Sequence, residues 1–135
     1  MKSPTEIVDQ MYNKDAYSQW LGIERVEEKA GFSHLKMQIR KEMCNGFDIA
    51  HGGISYSFAD SALAFASNSH GQKAVSIETS ISHVAPLHTN DWIEAIAKEK
   101  HSSRKIGVYE VEVRKLDGTL VALFKGTVYN TGKEW

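Results

Sequence analysis

One stretch of the chain, from Gly52 to about Asn68, constrains the fold most. Its apolar residues recur at three- and four-residue spacing, it is rich in alanine, and it has few large charged side chains. Such a pattern is typical of an α-helix that has protein around it on most sides. Because the segments on either side of it alternate like strands, we expect one central helix against a sheet.

The N-terminal segment predicts a second, shorter helix. Ser3 can serve as the N-cap, Pro4 occupies the first helical position, and Glu6 completes a capping box. This helix is expected to span about 4–13 and to end near Asn13. The apolar residues within 17–21 are expected to lead directly into the first strand.

Six further segments are predicted to be strands, and apolar and polar residues alternate in 32–40, 75–83 and 109–114. In the segment 75–83, Val75, Ile77, Thr79, Ile81 and His83 are expected to share one face. Residues 41–50 are expected to form a loop. The predicted strands are 22–29 and 32–40, which form a hairpin, and 75–83, 91–100, 109–114 and 120–129.

This order of elements predicts an α+β fold in which a long antiparallel sheet wraps around one central helix. A length of 135 residues indicates a single domain, residues 1–135. Lys and Arg total 16 against 17 Asp and Glu, so no basic face for nucleic acid is implied. No apolar run is long enough for a membrane span, and the N-terminus has no apolar core of a secretory signal.

Cys44 is the only cysteine, so the chain cannot form an internal disulfide. That composition fits a reducing compartment, and a cytoplasmic location is expected. The six histidines have no spacing that would supply the three protein ligands of a catalytic zinc site, so no metal is expected. Cys44 has no evident partner base and is interpreted as an ordinary loop residue.

The motif with the most chemical content runs from Asn45 through His51, Gly52 and Gly53 to Asp60. Two glycines at the start of a helix leave backbone N–H groups unshielded, and the helix dipole helps those groups to hold an oxyanion. A carboxylate nearby can act as a base or as a nucleophile. This set of groups is sufficient for acyl transfer to water.

The spacing within the helix places a restriction on this chemistry. Asp60 follows Gly52 by eight residues, which is about 12 Å along a helix axis and about 80° around it. One carbonyl carbon cannot lie close to both groups of the same helix. If both act in one reaction, they must come from two copies of the chain, as in a symmetric dimer with antiparallel central helices.

The chain resembles the PaaI-type hotdog thioesterases, the family associated with phenylacetic acid degradation. Asn45-Gly46, His51-Gly52-Gly53 and Phe58-Ala59-Asp60 carry the resemblance, with further matches in 75–77, 107–111 and 121–126. The Asn-x5-His-Gly-Gly-x6-Asp spacing is more specific than a lone Gly-Gly pair. The resemblance covers roughly residues 20–130.

The resemblance implies hydrolysis of acyl-CoA thioesters, with phenylacetyl-CoA and hydroxyphenylacetyl-CoA favoured. It implies no metal or organic cofactor, and homodimers that pair into homotetramers. By position, Gly52 would supply the oxyanion N–H and Asp60 would activate water or attack directly. Asn45 would orient the water or the thioester, and His51 would support the loop. Gly53 would line the site, and Ser76 matches a position that holds a hydroxyl in some relatives.

Two cationic residues, Arg104 and Lys105, are candidates for binding the phosphates of CoA, although a solvated turn explains them at least as well. Aromatic residues near the motif could line an aryl pocket, but core packing is their commoner use. These aromatic residues are Phe47, Tyr56, Phe58 and Phe65.

Each motif residue also has a purely structural interpretation. Gly52 and Gly53 would allow close packing, Asp60 would be a buried carboxylate beside Tyr56 and Ser57, and Asn45 would be a turn residue. Two other functions remain open: a hotdog enoyl-CoA hydratase or dehydratase that uses His51 with Asp60, and a non-catalytic module that binds acyl-CoA.

Overall fold

The computed structural model describes residues 1–135 and begins with two short helices. The helix α1 spans Pro4–Tyr12, and both halves of the predicted capping box are formed by Ser3 and Glu6. The helix α2 spans Ala16–Leu21. The expectation that residues 17–21 lead directly into the first strand is therefore wrong. Asp15 caps α2 by accepting from the N–H of Ser18, and Gly22 ends it with a φ of 75°.

The strands follow in the predicted order. β1 spans Glu24–Lys29 and β2 spans Phe32–Gln38; β3 spans Gln72–His83, β4 Trp92–Ser102, β5 Ile106–Lys115 and β6 Leu120–Glu134. Between β2 and the long helix, residues 41–50 are a loop except for a 3-10 turn, Lys41–Met43, and an isolated bridge between Cys44 and Ala50.

The six strands form one antiparallel sheet in the order β1-β2-β4-β5-β6-β3. Strands joined by short turns are neighbours, whereas β3 lies next to β6 and is an edge strand. The connection from β3 to β4 therefore crosses the sheet. An edge strand presents unpaired backbone groups on its outer side.

The helix α3, Gly52–Asn68, packs against the sheet and contacts every strand. Eleven of its 17 residues are buried, including Phe58 and Phe65, which are fully enclosed. The helix lies very close to β6, because a Cβ added at Gly126 would come within 2.5 Å of the Leu63 side chain. The predicted α+β fold, a long antiparallel sheet wrapped around one central helix, is confirmed.

β3 differs from its expected pattern in one respect that affects the site. A β-bulge between Ser76 and Glu78 shifts the register of β3 against β6. Thr79 then faces α3, where its hydroxyl bonds that of Tyr56, while Val75 and Ile77 are 55% and 58% exposed. The expectation that Val75 and Ile77 share a face with Thr79, Ile81 and His83 is therefore wrong.

None of the three helices is both long enough and apolar enough to cross a membrane.

Candidate active site

The glycines lie at the N-terminus of α3, where the sequence places them. Gly52 and Gly53 are its first two residues, both exposed, with His51 at the N-cap. The first N–H groups of a helix have no carbonyl partner within it, so these two point out of the helix end. A Cβ at Gly52 would lie 3.1 Å from Nε2 of His83, whereas one at Gly53 would meet nothing within 4 Å.

The loop before the helix is held by backbone bonds and by one side chain. Asn45 Oδ1 accepts from the N–H groups of Phe47 at 2.9 Å and Ile49 at 3.3 Å. The His51 N–H donates to the carbonyl of Met43, and its imidazole makes no capping bond. Asn45 thus organises the loop through its oxygen, and its amide N–H₂ group remains available to another partner.

A cavity of about 450 Å³ adjoins the glycine end of the helix. Gly52, Ser55 and His83 contribute to its wall, together with the segment from Val84 to Leu87. The Ser55 hydroxyl lies 3.2 Å from Nδ1 of His83, which fixes the ring beside Gly52. His83 is a wall residue that the sequence motif did not identify, because it comes from the far end of β3.

Asp60 lies elsewhere, in a second cavity of about 440 Å³. This cavity follows one face of α3, since Asp60, Leu63, Ala64, Ser67 and Asn68 recur at three- and four-residue spacing along it. Ser76 shares the cavity with Asp60, because the bulge in β3 turns Ser76 toward the helix. The remaining wall comes from β3, β6, α1 and the C-terminal residue, and it is mostly apolar.

The Asp60 carboxylate has an environment unlike that of an ordinary structural aspartate. Burial raises its pKa above the usual value of 3.8, and the negative charge of Asp15 raises it further. No hydrogen bond contributes to this shift: Tyr56 bonds Thr79, and Ser57 bonds Tyr17 and the carbonyl of Gly53. The carboxylate therefore keeps free lone pairs inside an apolar cavity.

Arg104 and Lys105 lie in the turn between β4 and β5, apart from both cavities. Lys105 places its ammonium 5.8 Å from the ring centroid of Tyr129, and Arg104 borders a small cavity with His70 and Asn130. Of the aromatic residues considered for an aryl pocket, Phe58 and Phe65 are core residues and Phe47 is 85% exposed. Tyr56 packs edge-on against Phe124, and none of the four lines the Asp60 cavity.

Two residues of the Asp60 cavity carried no recognisable signal in the sequence. Asn68 is a polar residue buried at the end of α3, and Trp135 lies far away in the chain. The one hint for Asn68 was its position as an amide at the end of an apolar helix, which does not by itself indicate a site. No neighbouring residue in the sequence indicated a site at Trp135. No group of three or more His, Cys, Asp or Glu side chains lies close enough together to hold a metal ion.

Comparison with known proteins places this geometry in context. Residues 47–122 match the family model described as the thioesterase superfamily. The acyl-coenzyme A thioesterase PaaI of Escherichia coli K12 is 35% identical over 122 residues, which cover 90% of this chain and 87% of that protein.

Two solved structures extend the match to three dimensions. The E. coli PaaI protein from the phenylacetic acid degradation operon superposes with a TM-score of 0.94 at 33% identity, covering 97% of this chain and 95% of that one. A mutant of the phenylacetic acid degradation protein PaaI from Thermus thermophilus gives 0.83 at 36% identity, covering 86% and 99%. The match to the E. coli protein covers nearly the whole chain, so the predicted hotdog fold is confirmed.

Proposed function

This chain belongs to the thioesterase superfamily and is an acyl-CoA thioesterase, and we propose that it hydrolyses phenylacetyl-CoA or hydroxyphenylacetyl-CoA to the free acid and CoA. The observation that carries the assignment to this site is the Asp60 carboxylate, which has no hydrogen-bond partner and lies in an apolar cavity. A desolvated carboxylate with free lone pairs is a stronger base than an exposed one.

In the proposed reaction, Asp60 removes a proton from water that attacks the thioester carbonyl, or attacks the carbonyl itself to form a mixed anhydride that water then hydrolyses. On either route the tetrahedral intermediate collapses with cleavage of the C–S bond, and CoA leaves as a thiolate that takes up a proton. The backbone N–H of Gly52 stabilises the oxyanion of that intermediate, and the dipole of α3 assists it. Asn45 orients the water or the thioester through its free amide group, and Ser76 holds the water from the opposite wall. Gly53 leaves room for the thioester, and His51 supports the loop.

We propose that each site is shared between two subunits. Within one chain, Gly52 and Asp60 line different cavities and stand about 12 Å apart along α3. β3 is an edge strand whose Val75 and Ile77 side chains are largely exposed, which suits pairing with a second copy of β3. A two-fold axis at that edge would set the two α3 helices antiparallel, and two such dimers would pair into the tetramer.

The residues proposed to bind the phosphates of CoA are the two cations of the β4–β5 turn, Arg104 and Lys105. Removal of Arg104 or Lys105 should raise KM for CoA thioesters more than it lowers kcat, because these residues would hold phosphate and not the reacting carbonyl. The same variants should leave KM unchanged for short thiol analogues that lack the nucleotide. An unchanged KM for CoA thioesters would remove both residues from the site.

The phenylacetyl preference is supported by the similarity to the two PaaI proteins and by the mostly apolar wall of the Asp60 cavity. A cytoplasmic location and a single domain over residues 1–135 are part of the same proposal. A hydratase that pairs His51 with Asp60 is less well supported, because the family model and the relatives that match this chain are thioesterases and esterases, and Asp60 bonds no imidazole within the chain.

The deciding experiment measures thiol release from phenylacetyl-, hydroxyphenylacetyl-, benzoyl-, short-chain and long-chain acyl-CoA, with Asp60→Ala in parallel. Release concentrated on the aryl substrates and lost in the variant is expected. Equal rates for the two proteins on every substrate would contradict the role of Asp60. Binding of acyl-CoA with no turnover would support the non-catalytic module instead, and water addition to an enoyl-CoA would support the hydratase.

A further inference from the structure

Trp135 lines the end of the Asp60 cavity that lies beside Asn68, away from Asp60. Trp135 lines this cavity together with Asn68 and Lys73, whereas Asp60 lies two helical turns earlier. Asn68 follows Asp60 by eight positions in α3, which is about 12 Å along the helix. An acyl group that enters beside Asp60 and follows the cavity along α3 therefore meets the indole ring of Trp135.

The indole is held in place by directed contacts. Its Nε1–H donates to Oδ1 of Asn68 at 2.9 Å, and the backbone N–H of Trp135 donates to the carbonyl of Gly71 at 3.1 Å. The ammonium of Lys73 lies 5.1 Å from the ring centroid, on its face. Three contacts, from the last residue of α3, from Gly71 and from the start of β3, thus fix the position of Trp135, which directly follows β6.

The partner of the indole is itself rigid. Asn68 is only 2% exposed, and its amide donates to the carbonyls of Ala64 and Ala74 while its oxygen also accepts from the N–H of Ala74. An amide with every hydrogen-bonding group satisfied in a buried position has one orientation. The acceptor for Trp135 is consequently preorganised by the helix and the strand together.

We propose that Trp135 is the specificity-determining residue that limits the length of the acyl group. The inference rests on the proposed thioesterase site at Asp60, whose cavity the indole lines. A fixed aromatic wall accepts acyl groups that end before it and rejects those that must displace it. Each methylene that a pocket accepts or refuses changes kcat/KM by about tenfold or more.

The test compares kcat/KM for phenylacetyl-CoA with kcat/KM for 4-phenylbutyryl-CoA and 6-phenylhexanoyl-CoA. The variants Trp135→Phe, Trp135→Leu and Trp135→Ala reduce in steps the size of the side chain at this end of the cavity. The ratio of long-chain to short-chain kcat/KM should rise along this series, by about tenfold or more in Trp135→Ala. Trp135→Phe should keep most of the wild-type preference, because it retains a ring at the end of the cavity.

Trp92→Ala is the matched control. Trp92 also lies beneath a lysine, with the ammonium of Lys36 5.6 Å from its ring centroid, but it begins β4 and does not line the cavity. This variant should leave the ratio of kcat/KM values unchanged. Thermal unfolding of all variants separates a change in the pocket from a loss of folding, and Trp135→Phe and Trp135→Leu carry the test if Trp135→Ala unfolds.

An unchanged ratio in every Trp135 variant would overturn the inference while leaving the thioesterase assignment intact. An equal fall on all three substrates would also overturn it and would assign Trp135 a purely structural role. A wild-type protein with no activity on any acyl-CoA would instead overturn the proposed function itself, so the two failures are distinguishable.

Discussion

At the scale of single residues, Asp60 lowers the stability of the folded protein at neutral pH, which its proposed role in catalysis would explain. Burial raises the pKa of Asp60 above 3.8, so the folded protein binds this proton more tightly than the unfolded chain does. Stability therefore falls as the pH rises through the interval between the ordinary and the raised pKa, and the deficit is complete above it. A residue selected only for stability would not be an aspartate here.

Asp60→Asn should consequently raise the free energy of unfolding at pH 7, since the amide is never charged. The gain should shrink on acidification and vanish below the ordinary pKa of about 3.8. Urea unfolding at pH 7 and pH 3.5, at equal subunit concentration, measures it. Asp117→Asn is the control, because the N–H of Thr119 lowers the pKa of Asp117. Its charged form is favoured by folding, so this substitution should lower the free energy of unfolding at pH 7. Loss of stability in Asp60→Asn at pH 7 would contradict the interpretation.

The two glycines at the start of α3 offer a matched pair of variants. In Gly52→Ala the added Cβ would press on the His83 ring at 3.1 Å and crowd the backbone N–H, whereas Gly53→Ala adds a Cβ in open space. We expect Gly52→Ala to lower kcat by at least tenfold and Gly53→Ala to lower it much less, with small changes in melting temperature for both. Loss of one oxyanion donor typically costs a factor of about 100–1,000 in kcat. Equal effects of the two variants would argue against Gly52 as the donor.

At the scale of elements, Asn68 joins α3, β3 and the end of the chain. Removal of its side chain in Asn68→Ala leaves the N–H of Ala74 and the indole N–H of Trp135 without their acceptor. Each buried group left unpaired costs about 1–3 kcal/mol, so the free energy of unfolding should fall by more than about 2 kcal/mol. Chemical denaturation monitored by circular dichroism measures the loss.

Asn130→Ala is the control for this effect. Asn130 reaches only the carbonyls of Ser103 and Arg104, at 3.4 and 3.5 Å, and lies near the surface. Its removal should change the free energy of unfolding by no more than about 0.5 kcal/mol. If the two variants lost the same stability, the amide of Asn68 would have no special part in joining these elements.

At the scale of the whole molecule, the separation of Gly52 from Asp60 predicts complementation between inactive subunits. A dimer of Gly52→Val with Asp60→Ala contains one site with both groups intact and one with neither. Random mixing makes half of the dimers mixed, so about a quarter of wild-type activity should return. Two affinity tags allow the mixed dimers to be purified and assayed.

Mixing Asp60→Ala with Asp60→Asn gives the control, because every site in that mixture lacks the carboxylate. No activity should return in it. Absence of activity in purified Gly52→Val with Asp60→Ala dimers would show that one chain supplies both groups, and the shared site would have to be abandoned.

The sequence by itself determined the features that depend on local periodicity and spacing. Ile54, Phe58 and Ala62 at helical intervals predicted α3, and alternation of apolar and polar residues predicted strands at 32–40, 75–83 and 109–114. The Asn45-to-Asp60 spacing predicted a helix terminus and a carboxylate that cannot meet on one helix. The short helix α2 was missed even though Asp15 and Gly22 bound it, because six residues are too few to establish a period.

The tertiary structure alone decided what surrounds these groups. A β-bulge turns Ser76 toward Asp60 and sets Val75 and Ile77 on the exposed side, and a bulge changes which side chains share a face without altering the alternating sequence. His83 comes to lie beside Gly52, and Trp135 comes to line the cavity of Asp60, across 31 and 75 residues of chain respectively. Such contacts depend on the order and register of strands in the sheet, which local propensity does not encode.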